Sequence, residues 1–249
     1  MESPDQNAFQ CSWRCLNLAQ TLNREAPSVN RISTAVKLAL VVLVSVCARA
    51  APPDVHAIAQ TVDERYNRLH TLAASFTEIY RGAGMERTES GMLWLKKPGK
   101  MRWEYRSPEE KLFLSDGKDA WFYLPGDRQA RKTAAKKLDD LRSPLSFLLG
   151  KTRLEKELLG LSFAPDIKPL AGGDVVLRGV PQALAERVNQ VALEVTPEGQ
   201  IVRLIIEEAD GSATEYRFTE QKENVEVSDA SFRFTPPSGV EVIEGDLGQ

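Results

Sequence analysis

The sequence predicts an α+β protein, a strongly curved antiparallel sheet with one helix in front of it and a helical segment inserted midway. Three observations carry that prediction. A helical apolar stripe occupies residues 55–72, segments of period two lie on both sides of residues 134–160, and turn residues punctuate the junctions between them. In the stripe, Val55, Ile58, Val62, Tyr66, Leu69 and Leu72 recur every three or four positions, with Asp63, Glu64, Arg65 and Arg68 between them, so one face is apolar and the other charged. Residues 76–81, 88–96, 101–106, 111–115 and 120–124 are rich in aromatic and branched side chains. Gly82, Gly84, Pro98-Gly99, Pro108 and Asp116-Gly117 separate them, the pattern of successive hairpins. Residues 127–133 add a further strand. In residues 134–160, Ser143-Pro144 supplies a cap and a first-turn proline for a short apolar helix carrying Leu145, Phe147, Leu148 and Leu149. Strands resume at 175–178, 190–196, 201–208 and 213–221, joined by Pro197-Glu198-Gly199 and Asp210-Gly211, with a last short one at 232–234. The total is about ten to eleven strands, with the helices expected over the open face.

Composition sets the class. The chain has 249 residues, 42% of them hydrophobic and 27% charged, within the ordinary globular range. Its long apolar run, AVKLALVVLVSVC at residues 35–47, follows Arg31 and ends at Ala48-Arg49-Ala50, the small-x-small pattern of a signal peptidase site. A membrane anchor normally needs about 18 or more apolar residues, so the run reads as a secretory signal cleaved after Ala50 rather than a retained anchor. Residues 1–50 are thus expected to be an amino-terminal extension and signal, and residues 51–249 a single domain. The polar stretch before Arg31 is long for a signal and suggests that translation starts further in, near Val29. All three cysteines, Cys11, Cys15 and Cys47, precede the cleavage point, which leaves the exported chain without disulfides or thiol chemistry. Val46 is larger than the small residue expected just before a lipid-bearing cysteine, which argues against lipidation at Cys47. After cleavage, 27 basic residues face 32 acidic ones, a net charge of −5 that disfavours nucleic-acid binding.

Catalytic and metal chemistry lack raw material. The two histidines, His56 and His70, stand at or near the first helix without cysteine partners or ligand spacing, and read as solvated side chains. Glu109-Glu110 and Glu207-Glu208 are adjacent on strands, so their carboxyls point to opposite faces and cannot act on one bond. Gly82-Ala83-Gly84 is a hairpin turn, since no helix start follows it. No catalytic residue, metal site or cofactor is expected. The unusual feature is aromatic: Trp94, Trp103, Tyr105, Phe113, Trp121, Phe122 and Tyr123 crowd the early hairpins, and all but Phe122 fit alternating positions. Periodicity alone leaves two readings open, a plain hydrophobic core and a ligand-binding floor. Lys96, Lys97, Lys100, Arg102 and Arg106 interleave with these aromatics in an acidic chain, which suits a ligand with a greasy body and a polar end.

The run GMLWLKKPGKMRWEY at residues 91–105 resembles the periplasmic lipoprotein carrier family, LolA. The resemblance continues through ASFT at 74–77, LSDGKDAWFY at 114–123, SPLSFLL at 143–149 and FRFTPPSGVEVI at 232–243, in the family's order. It implies an unclosed half β-barrel with a hydrophobic concave face under a helical lid. It also implies a monomeric, non-enzymatic carrier that takes acylated lipoproteins from an inner-membrane ABC transporter to an outer-membrane receptor. By resemblance, Trp94, Trp103, Trp121 and Tyr123 lie on the cavity strands. Tyr105 and Phe113 join them as acyl-chain residues, and Leu145, Phe147, Leu148 and Leu149 form the lid. Where the family commonly has an arginine that bonds to the lid, this chain has Lys97. Lysine lacks the planar fork of arginine, so a looser lid latch is expected. The alternative on the same half-barrel is a lipid- or glycolipid-binding sensor or export accessory.

Overall fold

The computed structural model describes residues 54–137 and 153–245. The expected signal and the lid positions Leu145, Phe147, Leu148 and Leu149 lie outside the described residues. Asp54 starts the first helix, α1 (Val55–Arg68), by accepting a hydrogen bond from the His56 N–H at 3.1 Å through its side chain. Leu69 turns the chain into extended backbone, so the apolar stripe outlasts the helix. Leu72 already belongs to β1 (Thr71–Gly82). Periodicity could not mark this boundary, because the last helical residues and the first strand residues bury themselves in the same core.

The hairpin run follows as β2 (Met85–Lys96), β3 (Lys100–Ser107), β4 (Lys111–Asp116), β5 (Asp119–Tyr123) and β6 (Gln129–Ala134). After a short helix, α2 (Leu154–Glu157), come β7 (Leu158–Phe163), β8 (Val175–Pro181), β9 (Val188–Val195), β10 (Ile201–Glu208), β11 (Ala213–Glu223) and β12 (Glu241–Glu244). They form one sheet in the order β12-β6-β5-β4-β3-β2-β1-β11-β10-β9-β8-β7. The sheet is curved and unclosed, with β12 and β7 at its ends. Every neighbouring pair is antiparallel except β12 with β6, which is parallel. The central pairing of β1 with β11 joins Ile79 to Glu215 and Thr77 to Arg217, so the two halves of the chain meet along one ladder.

The described strands number twelve. β7 begins at the end of residues 134–160 and was not expected as a strand, because its residues, LLGLSF, carry no clear alternation. At the expected strand 232–234, Phe232 instead ends a 3-10 turn, Asp229–Phe232, capped by the Ser228 side chain, and residues 233–234 are in no strand. The true last strand, β12, is too short and too charged to show as one.

Alternation gives the sheet two faces, and the inner one is the face toward α1. The inner face carries the main core, in which Val62 and Tyr66 of α1 pack with Leu72, Leu93, Leu193 and Leu204 of the sheet. Tyr66 fixes the helix through both its side chain and its backbone. Its hydroxyl accepts from the Ile201 N–H at 3.1 Å, and burial pushes its own ionisation up to about 12. The β9–β10 turn meets α1 closely enough that a Cβ at Gly199, where φ is +78°, would stand 2.9 Å from Thr61.

The outer face has separate covers. The loop before β8 lies over β8–β10, where the Leu170 N–H donates to Glu194 at 2.6 Å and Arg203 donates to the Lys168 carbonyl at 2.8 Å. The carboxy-terminal segment crosses β2 to β5. Lys96 donates to the Val227 carbonyl at 2.7 Å, Arg102 donates to the Ser231 carbonyl at 2.9 Å, and Lys96 and Lys100 grip Asp229 at 2.6 and 2.9 Å. Phe232 is fully buried, its turn packed against β3 and β4. Replacing a buried phenylalanine by alanine costs about 3–5 kcal/mol. Phe232→Ala is therefore expected to lower unfolding free energy by that amount in urea titration, and a loss below about 1 kcal/mol would mean that the segment contributes little to the fold.

Candidate functional site

Register sorts the aromatic side chains into two rows. On the inner face, Ala74, Leu93, Trp103, Phe113, Phe122 and Arg131 stand opposite one another across β1 to β6. On the outer face the corresponding row is Ala73, Trp94, Arg102, Leu114, Trp121 and Lys132. Since side chains alternate along a strand, the two rows cannot share a ligand.

The sheet therefore divides the aromatics singled out from the sequence. Trp103, Tyr105 and Phe113 are brought together on the inner face, where Trp103 stacks 6.5 Å from Tyr105. Trp94, Trp121 and Tyr123 lie on the outer face. Trp121 and Tyr123 pack on Phe234 of the carboxy-terminal segment, at 6.3 and 5.7 Å between centroids. Phe122, the aromatic that did not fit the expected alternation, is on the inner face beside Phe113. Alternation gives two faces without saying which is inner, and in β5 the two outer aromatics outnumber the inner one. The basic residues follow the same division, because Lys96, Lys100 and Arg102 hold the carboxy-terminal segment on the outer face.

The inner face also uses residues that sequence reasoning missed. Phe76 meets Trp103 at 4.8 Å and Tyr105 at 4.9 Å, both edge-on, and Tyr216 meets Trp103 at 5.6 Å. Tyr216 stacks on Phe218 at 6.4 Å. The i, i+2 spacing of Tyr216 and Phe218 was a usable signal, but the pairing of β11 with β1 that delivers them here is not local. Beside these rings Gly91 lets the backbones of β2 and β3 approach closely at a register shift, since a Cβ there would lie 1.8 Å from the Glu104 carbonyl oxygen.

Away from α1 the inner face becomes polar. Glu78 and Glu89 stand opposite each other on β1 and β2, both buried. The Tyr105 hydroxyl donates to Glu78 at 2.7 Å, and Tyr216 stands opposite Glu78 on β11. Lys111 pairs with Glu89, and Arg87 approaches it at 3.7 Å. Beyond this network, at the β1–β2 turn, Met85 is 66% exposed. The covered end of the face thus lies under α1 and its open end beyond the glutamates.

Lys97 stands at the covered end. Its ammonium donates to the Tyr66 carbonyl at 2.6 Å, near the end of α1, and burial draws its ionisation below the ordinary lysine range. The bond ties the β2–β3 turn to α1 through a single donor. α1 is joined in turn to α2, which follows the expected lid: the Leu154 N–H donates to Asp63 at 2.9 Å, and His56 pairs with Glu155.

Burial pushes the Glu78 carboxyl above its usual range, although the Tyr105 hydrogen bond opposes this. The folded protein then holds this proton more tightly than the unfolded chain. Its contribution to stability is full below the ordinary glutamate pKa and is lost as pH rises through the raised folded value. The facing groups are Glu89, Arg87, Lys111, Tyr105 and Tyr216. Glu78→Gln cannot ionise, so between about pH 4 and pH 8 the urea midpoint of the wild type is expected to fall relative to the variant's. A constant difference across that range would contradict it.

Comparison with known proteins accords with this geometry. The family model described as Outer membrane lipoprotein carrier protein LolA matches residues 67–235. The outer-membrane lipoprotein carrier protein of Sodalis glossinidius is 30% identical over 203 residues, spanning 80% of this chain and 95% of that one. The protein of the same name from Pectobacterium carotovorum subsp. carotovorum is 32% identical over 185 residues, 73% of this chain and 85% of the relative. An uncharacterized conserved protein from Thermus thermophilus shares the fold, with a TM-score of 0.50 over 76% of this chain and 98% of that one at 14% identity. The chain therefore belongs to the LolA family of outer membrane lipoprotein carrier proteins, which are carriers rather than enzymes.

Proposed function

We propose that this protein is exported to the periplasm and carries lipoproteins across it with their acyl chains on the inner face of the sheet. They are received from an inner-membrane ABC transporter and handed to an outer-membrane receptor. One observation supports this reading above the others: an apolar row continuous from β1 to β5 on one face of an unclosed sheet, in a chain of this family. Exposing an acyl chain of about sixteen carbons to water costs on the order of 12 kcal/mol, at roughly 0.8 kcal/mol per methylene. A carrier must recover most of that cost and still release its cargo.

The present packing suggests how both are managed. Trp103 is only 5% exposed, and Val62, Tyr66 and Leu154 share its core. Seating a chain on this face therefore means displacing part of the protein's own covering. The covering's lost contacts offset part of the binding energy and keep release accessible. The transporter supplies the energy for loading, and tighter binding at the receptor gives direction. Leu145, Phe147, Leu148 and Leu149 serve as the movable cover, with Lys97 holding the adjoining turn to α1.

Neighbouring residues on β4 test the assignment of faces, since Phe113 points inward and Leu112 outward, both half-buried. Phe113→Glu is expected to reduce recovery of acylated lipoprotein released from membrane vesicles by at least about tenfold, because an unpaired charge would meet hydrocarbon. Leu112→Glu is expected to retain most of it, with circular dichroism confirming that both variants fold. Equal recovery by the two variants would refute the assignment.

A further inference from the structure

The β6 end of the sheet carries a concentration of positive charge that the carrier role alone does not explain. Residues 128–137 bring Arg128, Arg131, Lys132, Lys136 and Lys137 together without one acidic residue, in a chain of net charge −3. Lys132 is engaged by Asp119 at 3.0 Å and lies over the ring of Trp121. Arg128, Arg131 and Lys136 are exposed, and among the described residues no carboxylate stands within ion-pair distance of them. Strand β6 thus offers cations, on the edge of the sheet, that the fold itself leaves unused.

The strand laid on this edge is acidic. β12 reads EVIE and runs parallel to β6, with Glu244 opposite Lys132, Ile243 opposite Arg131 and Glu241 opposite Gln129. The Glu241 and Gly245 N–H groups donate to the Arg128 and Lys132 carbonyls at 2.8 and 3.0 Å. None of the side chains of β12 is buried, so backbone pairing and charge hold it rather than packing. The strong anchors lie upstream, where Phe232 is fully buried and Phe234 packs on Trp121 and Tyr123. A turn through Pro237 and Gly239, whose φ is +82°, separates β12 from those anchors. β12 can therefore leave β6 while the rest of the carboxy-terminal segment stays in place.

A bare β6 would present a row of unpaired N–H and C=O groups, the template for strand addition. A short parallel strand without buried side chains is a weak cover for it. A longer acidic strand makes the same backbone bonds and also reaches Arg128, Arg131 and Lys136. We propose that the β6 edge is a docking surface for an extended acidic segment of a partner protein, which replaces β12 and joins the sheet in its place. β12 is the internal stand-in, and its alternation of acidic and branched side chains describes what the edge accepts. Charge selects the partner, and the backbone of β6 orients it. The surface is independent of where the acyl chains lie.

The test uses the exported full chain and a fluorescein-labelled peptide of its own residues 239–249, GVEVIEGDLGQ, beside the same peptide with lysine at every acidic position. Tethered β12 competes with the probe at an effective concentration on the order of millimolar. Glu241→Pro removes one of its donors to β6, and Ile243→Pro, two residues on, removes another. The double variant is expected to bind the acidic peptide at least about tenfold more tightly than the wild type does. The lysine peptide is expected to bind at least about tenfold more weakly than the acidic one, and adding Arg128→Glu and Arg131→Glu is expected to remove that preference. Equal binding of the acidic peptide to wild type and variant overturns the inference, as does equal binding of the two peptides. Binding of the variant to phosphatidylglycerol vesicles but not to the peptide would make the edge a membrane-facing surface, and dimerisation that excludes the peptide would make it a self-association surface; either overturns the inference. If circular dichroism shows that the prolines unfold the protein, benzoylphenylalanine at position 129 of the otherwise unaltered chain decides instead. Crosslinking there to the acidic peptide and not to the lysine peptide is the expected result, and no crosslink to either overturns the inference.

Discussion

An unclosed sheet with strands this long has two faces to keep from water, and strict alternation along each strand means that no residue serves both. Here each face has its own cover. The inner face meets α1, with Tyr66 bonded at its hydroxyl to β10 and at its carbonyl to Lys97. The outer face meets the loop before β8 and the carboxy-terminal segment, which ends as a parallel strand on β6. The outer cover is fastened by ion pairs, backbone hydrogen bonds and the buried Phe232. The inner face is joined to α1 by apolar packing, by hydrogen bonds and by the Arg65–Glu223 ion pair.

Much of the fold was legible because it rests on local signals. The helical stripe, the hairpin turns at Pro98-Gly99 and Asp116-Gly117, and the alternation of β2 to β5 all show in a few residues each. β7 and β12 were not legible, the first lacking alternation and the second depending on a parallel partner more than a hundred residues away. The stripe also ran past the end of α1, because Leu69 and Leu72 are buried in the same core whether helical or extended.

The site was half legible for a related reason. Aromatic crowding singled out strands that bring Trp103, Tyr105 and Phe113 together, but face assignment depends on register, and register depends on long-range pairing. Trp103 and Phe113 face inward while Trp94 and Trp121 lie opposite, and Phe122, which interrupted the expected pattern, is the β5 residue that belongs to the inner row. The basic residues between the aromatics suited a polar ligand, yet Asp229 and the carbonyls of the carboxy-terminal segment already satisfy Lys96, Lys100 and Arg102. The polar end of the inner face is built from Glu78, Glu89 and Lys111, whose convergence no single stretch of sequence displays.

The central claim is that hydrocarbon meets the inner face and not the outer one. β5 offers a direct measurement, because Trp121 and Phe122 are consecutive and point to opposite sides. A photo-reactive benzoylphenylalanine placed at either position and irradiated with an acylated lipoprotein bound reports which side the acyl chains touch. Crosslinks at position 122 with none at 121 are the predicted result. Crosslinks at 121, with or without 122, would contradict it.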